Sequence, residues 1–263
     1  MKRVAFAVEK GGTAKTTSAV HLAFALAEMG RNVLLVDTDT QDQCASHLGV
    51  KQFMPGLAEL ILGEITPRQA IVQARKNLFL LPAGDKLAGV KSRLPEIAKR
   101  TGVEPQNLLN TALSFAKRGK LDYVVLDTAP GSDAFLVNVL LYAETIITPV
   151  PPEMQAIRGM IRFFRTASAL GREISYILPT VHDRRVSKTR RIMDKLKKHF
   201  NSKLLDKISY TTRISEAAGA GLTIFEYQPR HPAALEYKSL ARKIDAEPRY
   251  GVQEPGDVLE ATA

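Results

Sequence analysis

Residues 4–17 read Val4-Ala5-Phe6-Ala7-Val8-Glu9-Lys10-Gly11-Gly12-Thr13-Ala14-Lys15-Thr16-Thr17. An apolar run breaks at Gly11-Gly12 and passes into Lys15-Thr16-Thr17. A helix-like stretch, Ser18 to Met29, follows and stops at Gly30. The order is strand, glycine loop, helix N-terminus, the context that a phosphate-binding loop requires. Loop N–H groups and the first orphan N–H groups of the helix converge on one spot, and the helix dipole favours negative charge there. Lys15 is placed to reach β- and γ-phosphates, and the Thr16 hydroxyl to help hold Mg²⁺. The plainer reading of the same residues is a Gly-Gly turn between a strand and a helix. The stretch departs from G-x-x-x-x-G-K-[ST] at both glycines, with Glu9 and Ala14 in their places. An alanine forced to positive φ costs roughly 1 kcal/mol, which leaves room for weakened nucleotide binding.

Two further segments have the same logic. Asn32 to Val36 is a short apolar strand that ends in Asp37-Thr38-Asp39-Thr40-Gln41, and Leu121 to Leu126 is another that ends in Asp127-Thr128-Ala129-Pro130-Gly131. In open α/β sheets, ligands sit outside the carboxyl ends of the strands, so a carboxylate there faces the ligand. One such aspartate alone reads equally as a turn or a helix cap; three features in order weigh against that.

The form K-G-G-x-x-K-T-T, with Lys10 five residues before Lys15, resembles the deviant loop of the ParA/Soj/MinD group of P-loop ATPases. Asp37 to Gln41 resembles the group's D-x-D-P-Q stretch, with Thr40 where proline is usual. Leu121 to Pro130 resembles its second carboxylate strand. Ala143–Val150, Pro152–Gly159, Ile177–Arg185 and Arg213-Ile214-Ser215-Glu216-Ala217 extend the resemblance over residues 2–245. The last stretch places the chain nearest the ParA/Soj partition branch. The resemblance implies a doubly wound, mostly parallel α/β sheet that binds ATP and Mg²⁺. It implies nucleotide contacts at Gly11, Gly12, Thr13, Ala14, Lys15, Thr16, Thr17, Thr180 and Tyr210, and metal contacts at Thr16, Asp37 and Asp127. Catalytic roles fall to Lys15, to Lys10 (reaching across a dimer to the partner's nucleotide) and to Asp39, which would position the attacking water.

Composition agrees with a folded enzyme. The chain has 263 residues, 45% hydrophobic and 24% charged, ample for one large α/β domain. We place that domain at 1–245 and a loosely packed tail at 246–263, where Pro248, Gly251, Pro255 and Gly256 cluster. Strands are expected near 3–8, 32–37, 78–82, 121–126, 145–149, 174–180 and 205–210, with helix-rich insertions at 51–75 and 84–118. With a single cysteine, Cys44, no disulfide framework and no Cys-based zinc or Fe–S site is expected within one chain. No apolar run approaches membrane-spanning length, and the N-terminus enters a core strand with no signal-peptide segment. No helix-turn-helix extension is expected there either. A cytoplasmic protein is therefore expected, and the resemblance implies association with the nucleoid.

The net charge of +10 is concentrated. Residues 181–243 hold fifteen lysines and arginines against six aspartates and glutamates. On a helix over 188–200, Ile192, Leu196 and Phe200 share one face and the basic residues cover the rest. A solvated helix face explains one such helix. With the resemblance, it becomes a surface for non-specific DNA, bound by counterion release, with Arg185 and Arg213 as the contacts carried over. The expected cycle is an ATP-dependent homodimer on DNA, slow hydrolysis, and stimulation by a ParB-like or other cargo-adaptor protein, with no membrane partner. The cargo could be a plasmid, a chromosome origin or a protein body. A MinD-like membrane-cycling regulator and a dethiobiotin-synthetase-like ligase are the alternatives; the missing amphipathic tail speaks against the first, and Lys10 and the basic C-terminal part against the second. His21 reads as packing, His182 as a loop residue without a catalytic role, and Cys44 as a small core residue.

Overall fold

The computed structural model describes residues 1–182 and 187–247. Strands β1 (Lys2–Phe6), β2 (Val33–Thr38), β3 (Val72–Arg75), β4 (Leu78–Leu81), β5 (Tyr123–Thr128), β6 (Thr145–Val150) and β7 (Tyr176–Pro179) form one sheet in the order β3-β4-β2-β5-β1-β6-β7. All neighbours run parallel except β3 against β4. The helices are α1 (Lys15–Glu28), α2 (Gln43–His47), α3 (Leu57–Ile61), α4 (Pro67–Ala70), α5 (Leu87–Ser92), α6 (Leu94–Thr101), α7 (Leu108–Ala112), α8 (Ala134–Tyr142), α9 (Met154–Ala169), α10 (Ser187–Phe200), α11 (Arg213–Gly219), α12 (Ile224–Tyr227) and α13 (Pro232–Ala246).

Both faces of the sheet are buried, as parallel strands require. Ala5, Leu34, Val36, Val124, Leu126 and Ile146 pack on the side of α3 and α5–α9. Their strand neighbours Val4, Phe6, Val33, Leu35, Val125 and Ile147 pack on the side of α1 and α13. The alternation is the period-2 pleat. Helix α1 is buried almost throughout, from Ser18 to Ala27. Its alanines let it lie between the sheet and α13, where Ser18 and Tyr237 share a hydrogen bond of 3.2 Å. The end of α13 is fastened to the opposite edge of the sheet: Lys2 Nζ donates to Ile244 O at 2.8 Å, and Tyr123 and Arg31 both bond Asp245.

His21 is a packing residue. It is 2% exposed and stacked on Tyr237. Its Nδ1 lies 2.7 Å from Thr17 O, and its Nε2 accepts the Ile224 N–H at 3.1 Å. Those partners require a neutral ring with its proton on Nδ1. Burial accordingly pushes its pKa down to about 4.

Two expectations need correction. Residues 205–210 make no strand. The segment runs beside β7 and bonds it (Leu205 N–H to Ile177 O, Ile208 N–H to Pro179 O), but it forms only isolated bridges. Asp206 and Lys207 interrupt its apolar pattern. Conversely, β3 lies inside a stretch read as helix-rich. It is an antiparallel edge strand joined to β4 by Lys76-Asn77, with Asn77 at φ 60°, a conformation that asparagine tolerates well. No helix among the described residues is long and apolar enough to cross a membrane.

Candidate functional site

The site assembles where β1, β5 and β2 lie side by side. Parallel register pairs Phe6 with Asp127 and Asp127 with Asp37, so the loop after β1 and both carboxylates emerge together at one sheet edge. The loop is shaped by left-handed residues: Gly12 at φ 69°, then Ala14 at φ 66°, ψ 35°, immediately before α1. Ala14 therefore occupies the strained conformation that glycine would adopt freely. The Cβ cost of roughly 1–2 kcal/mol is partly offset by alanine's smaller chain entropy when unfolded, about 0.4–1 kcal/mol. Ala14→Gly should thus stabilise the apo protein by about 0.5–1 kcal/mol. An upward shift of the urea midpoint tests this, and a downward shift would refute the strain assignment.

Loop contacts are made by the residues that the sequence singled out. The Thr13 carbonyl accepts the Thr180 hydroxyl at 2.9 Å, tying the end of β7 to the loop. Lys15 is 6% exposed, and its Nζ donates to Lys10 O at 3.2 Å. Burial lowers its pKa, opposed by Asp127 and Asp39. The Thr16 hydroxyl donates to Asp127 Oδ2 at 2.6 Å. Asp37, fully buried, accepts N–H bonds from Asp39 and Cys44 at 2.8 and 2.9 Å. Burial, together with the neighbouring Asp127 carboxylate, holds Asp37 well above the usual carboxylate range, and Asp127 is raised as well, chiefly by burial. Asp39 Oδ1 accepts the Gln41 N–H at 3.1 Å. Lys10 is half-buried and pairs with Glu153, ahead of α9, at 3.4 Å.

A cavity of about 370 Å³ opens above the loop, lined by Gly11 through Thr17, Asp39, Thr128, Pro130 and Val181, and by Gln41, Gln43 and His47. Gln41 belongs to the stretch already quoted, whereas Gln43 and His47 were not anticipated; their place on α2, the helix that follows that stretch, is the signal that could have found them. Tyr210 does not line this cavity. It is 51% exposed, and its N–H donates to His182 O. Arg213 lies on the surface at the start of α11, bonded to Glu216 at 2.6 Å. Arg185 lies outside the described residues, as does the tail beyond Glu247.

The donor set suits a hard divalent cation. Thr16, Asp37 and Asp127 offer oxygen. Asp127 Oδ1 is buried without a hydrogen-bond partner, and two adjacent buried carboxylates call for a positive charge.

Comparison with known proteins agrees with this geometry. A protein-family model described as an AAA domain matches residues 1–178. The chain is 30% identical to the chromosome partitioning protein ParA of Caulobacter vibrioides, over 93% of this chain and 94% of that one. It is 32% identical to the chromosome-partitioning ATPase Soj of Thermus thermophilus, over 94% and 96%. Among solved structures it is similar to cobyrinic acid a,c-diamide synthase from Mycobacterium smegmatis with bound ADP and magnesium. That match has a TM-score of 0.75 and 29% identity, and covers 93% of this chain and 94% of the other.

Proposed function

Because the chain belongs to the ParA/Soj family of ATPases, we propose that it binds Mg·ATP in the loop cavity and closes into an ATP-sandwich homodimer. The cycle of binding and hydrolysis then partitions or positions a cargo on DNA. The observation that carries this reading is the meeting of Lys15, Thr16, Asp37, Asp39 and Asp127 at one sheet edge. Backbone N–H groups of Gly11 to Thr17 surround the phosphates, and Lys15 neutralises the β- and γ-phosphates. Thr16, Asp37 and Asp127 hold Mg²⁺, which when bound supplies charge stabilisation for phosphoryl transfer. Asp39, on the cavity wall, orients water. Lys10 exchanges its contact with Glu153 for the partner's nucleotide. Thr180 braces the loop through Thr13, and contact with the base is assigned to Tyr210, which reaches it from outside the cavity lining. Hydrolysis is slow until a ParB-like or other cargo adaptor accelerates it.

Support for DNA comes from the basic elements. Arg190, Arg191, Lys195, Lys197 and Lys198 of α10 are exposed, as are Lys238, Arg242 and Lys243 of α13. The apolar stripe of α10 is used inward, with Ile192 and Leu196 buried against Val150, Ala156 and Met160. Phosphate contacts of this kind ignore sequence and weaken steeply with salt. Mobility shifts with ATP, with ADP and without nucleotide, at two salt concentrations, test the reading. Binding should require ATP, and Lys195→Glu should weaken it on every sequence alike. That variant should also flatten the log–log salt slope by about 0.9 for each phosphate it no longer neutralises. No shift in any state at low salt would return α10 to a solvated face.

A further inference from the structure

Cys44 stands between the two carboxylates that end β2 and β5. Left-handed Asp42, at φ 48°, turns the chain back into α2. The Cys44 N–H therefore reaches Asp37 Oδ2, and its Sγ lies 3.7 Å from Asp127 Oδ2. All three side chains are fully buried. One ligand atom from each of Asp37, Cys44 and Asp127 lies within 4.8 Å of the others, and no other such cluster occurs among the described residues. Asp127 Oδ1 is itself buried with no hydrogen-bond partner, an unmet demand of the kind that a bound cation fills.

One sulfur and two carboxylates are not what Mg²⁺ selects. That ion needs near-ideal octahedral oxygen coordination, whereas thiolate favours softer ions. Zinc takes thiolate and carboxylate together in a four-coordinate shell, and cadmium is its softer analogue. A lone cysteine gives no expectation of a Cys-based zinc site, but with two carboxylates beside it we propose that Cys44, Asp37 and Asp127 form a capture site for a thiophilic divalent cation, Zn²⁺ or Cd²⁺. As the metal–sulfur bond forms, the S–H bond breaks, the sulfur keeps the electron pair and the proton leaves to solvent. The metal does not change oxidation state. The Thr16 hydroxyl, 2.6 Å from Asp127 Oδ2, or a water completes the shell. The ion would occupy the place proposed above for Mg²⁺, so its competition with Mg·nucleotide rests on that reading; its capture by the nucleotide-free protein does not.

Cys44 is the only cysteine of the chain, so an ultraviolet thiolate-to-cadmium absorption band reports this thiol alone. Titration of the metal-free protein with Cd²⁺ should raise such a band and saturate near one equivalent. Asp127→Asn keeps the thiol and should weaken Cd²⁺ binding at least about tenfold, the cost of even an outer-shell partner. Asp37→Asn serves if circular dichroism shows that Asp127→Asn is unfolded. Calorimetry with Zn²⁺ should show a comparable loss in Cys44→Ala. Absence of the band in excess Cd²⁺, or carboxylate variants that titrate like the native chain, overturns the site. Mg²⁺-dependent ADP binding, measured separately on metal-free protein, tests the nucleotide reading, so each can fail alone.

Discussion

Lys15→Ala is expected to lose nucleotide binding while remaining folded. Lys15 is a nearly buried ammonium with one hydrogen bond, 3.2 Å to Lys10 O. Desolvation already lowers its pKa, and only Asp127 and Asp39 offset that. Such a group is a poor source of apo stability. A triphosphate changes its situation by bringing negative charge into the same water-poor loop. Truncating one partner of a buried, hydrogen-bonded charge pair costs about 2–5 kcal/mol, or roughly 30- to several-thousand-fold in affinity. The backbone donors of the loop remain but carry only partial charge. Calorimetry or a fluorescent nucleotide analogue gives the affinity, and circular dichroism confirms the fold. Near-native ATP affinity in a folded variant would remove the phosphate-loop assignment and leave Gly11-Gly12 as a turn.

How much of this site could be read from the sequence depended on how locally each part is encoded. The strand–loop–helix order of residues 4–28 and the carboxylates at the ends of β2 and β5 are local patterns, and Asp37 and Asp127 came together because adjacent parallel strands share a register. The positive φ of Ala14 was legible as a conditional strain, since the pattern wants glycine there. What was not legible depends on chain reversals and on side chains acting at a distance. Asp42 is such a residue. Its carboxylate accepts N–H bonds from Phe53 at 2.8 Å and Ala83 at 3.1 Å, pinning two loops under the site. No periodicity announces it. The same turn delivers Cys44 to the two carboxylates and His47 to the cavity wall. The β3–β4 hairpin was hidden by the opposite fault: Gln73 and Ala74 carry weak strand preference, and only the left-handed Asn77 marked the turn.

Asp39→Ala should separate binding from turnover. Asp39 is 7% exposed and lines the cavity. It bonds none of the loop residues, its side chain accepting only the Gln41 N–H. Removing the carboxylate leaves that one N–H without its acceptor, at about 0.5–1.5 kcal/mol of stability. The Asp39 backbone N–H still reaches Asp37, so the strand end keeps its shape. A negative charge also leaves the neighbourhood of the phosphates, so ATP affinity should hold or rise. The carboxylate that would orient the attacking water is lost, which should lower turnover by roughly 10²–10⁴. Bound ATP would then persist, and with it the dimer. Steady-state phosphate release beside sizing with ATP decides the case. Low turnover with a longer-lived dimer supports the role; native turnover would transfer water positioning to another cavity residue, Gln41 or Gln43. Asp39→Asn keeps an acceptor for Gln41 and removes only the charge. If it fails like the alanine variant, the anionic carboxylate is what the reaction needs rather than the turn it stabilises.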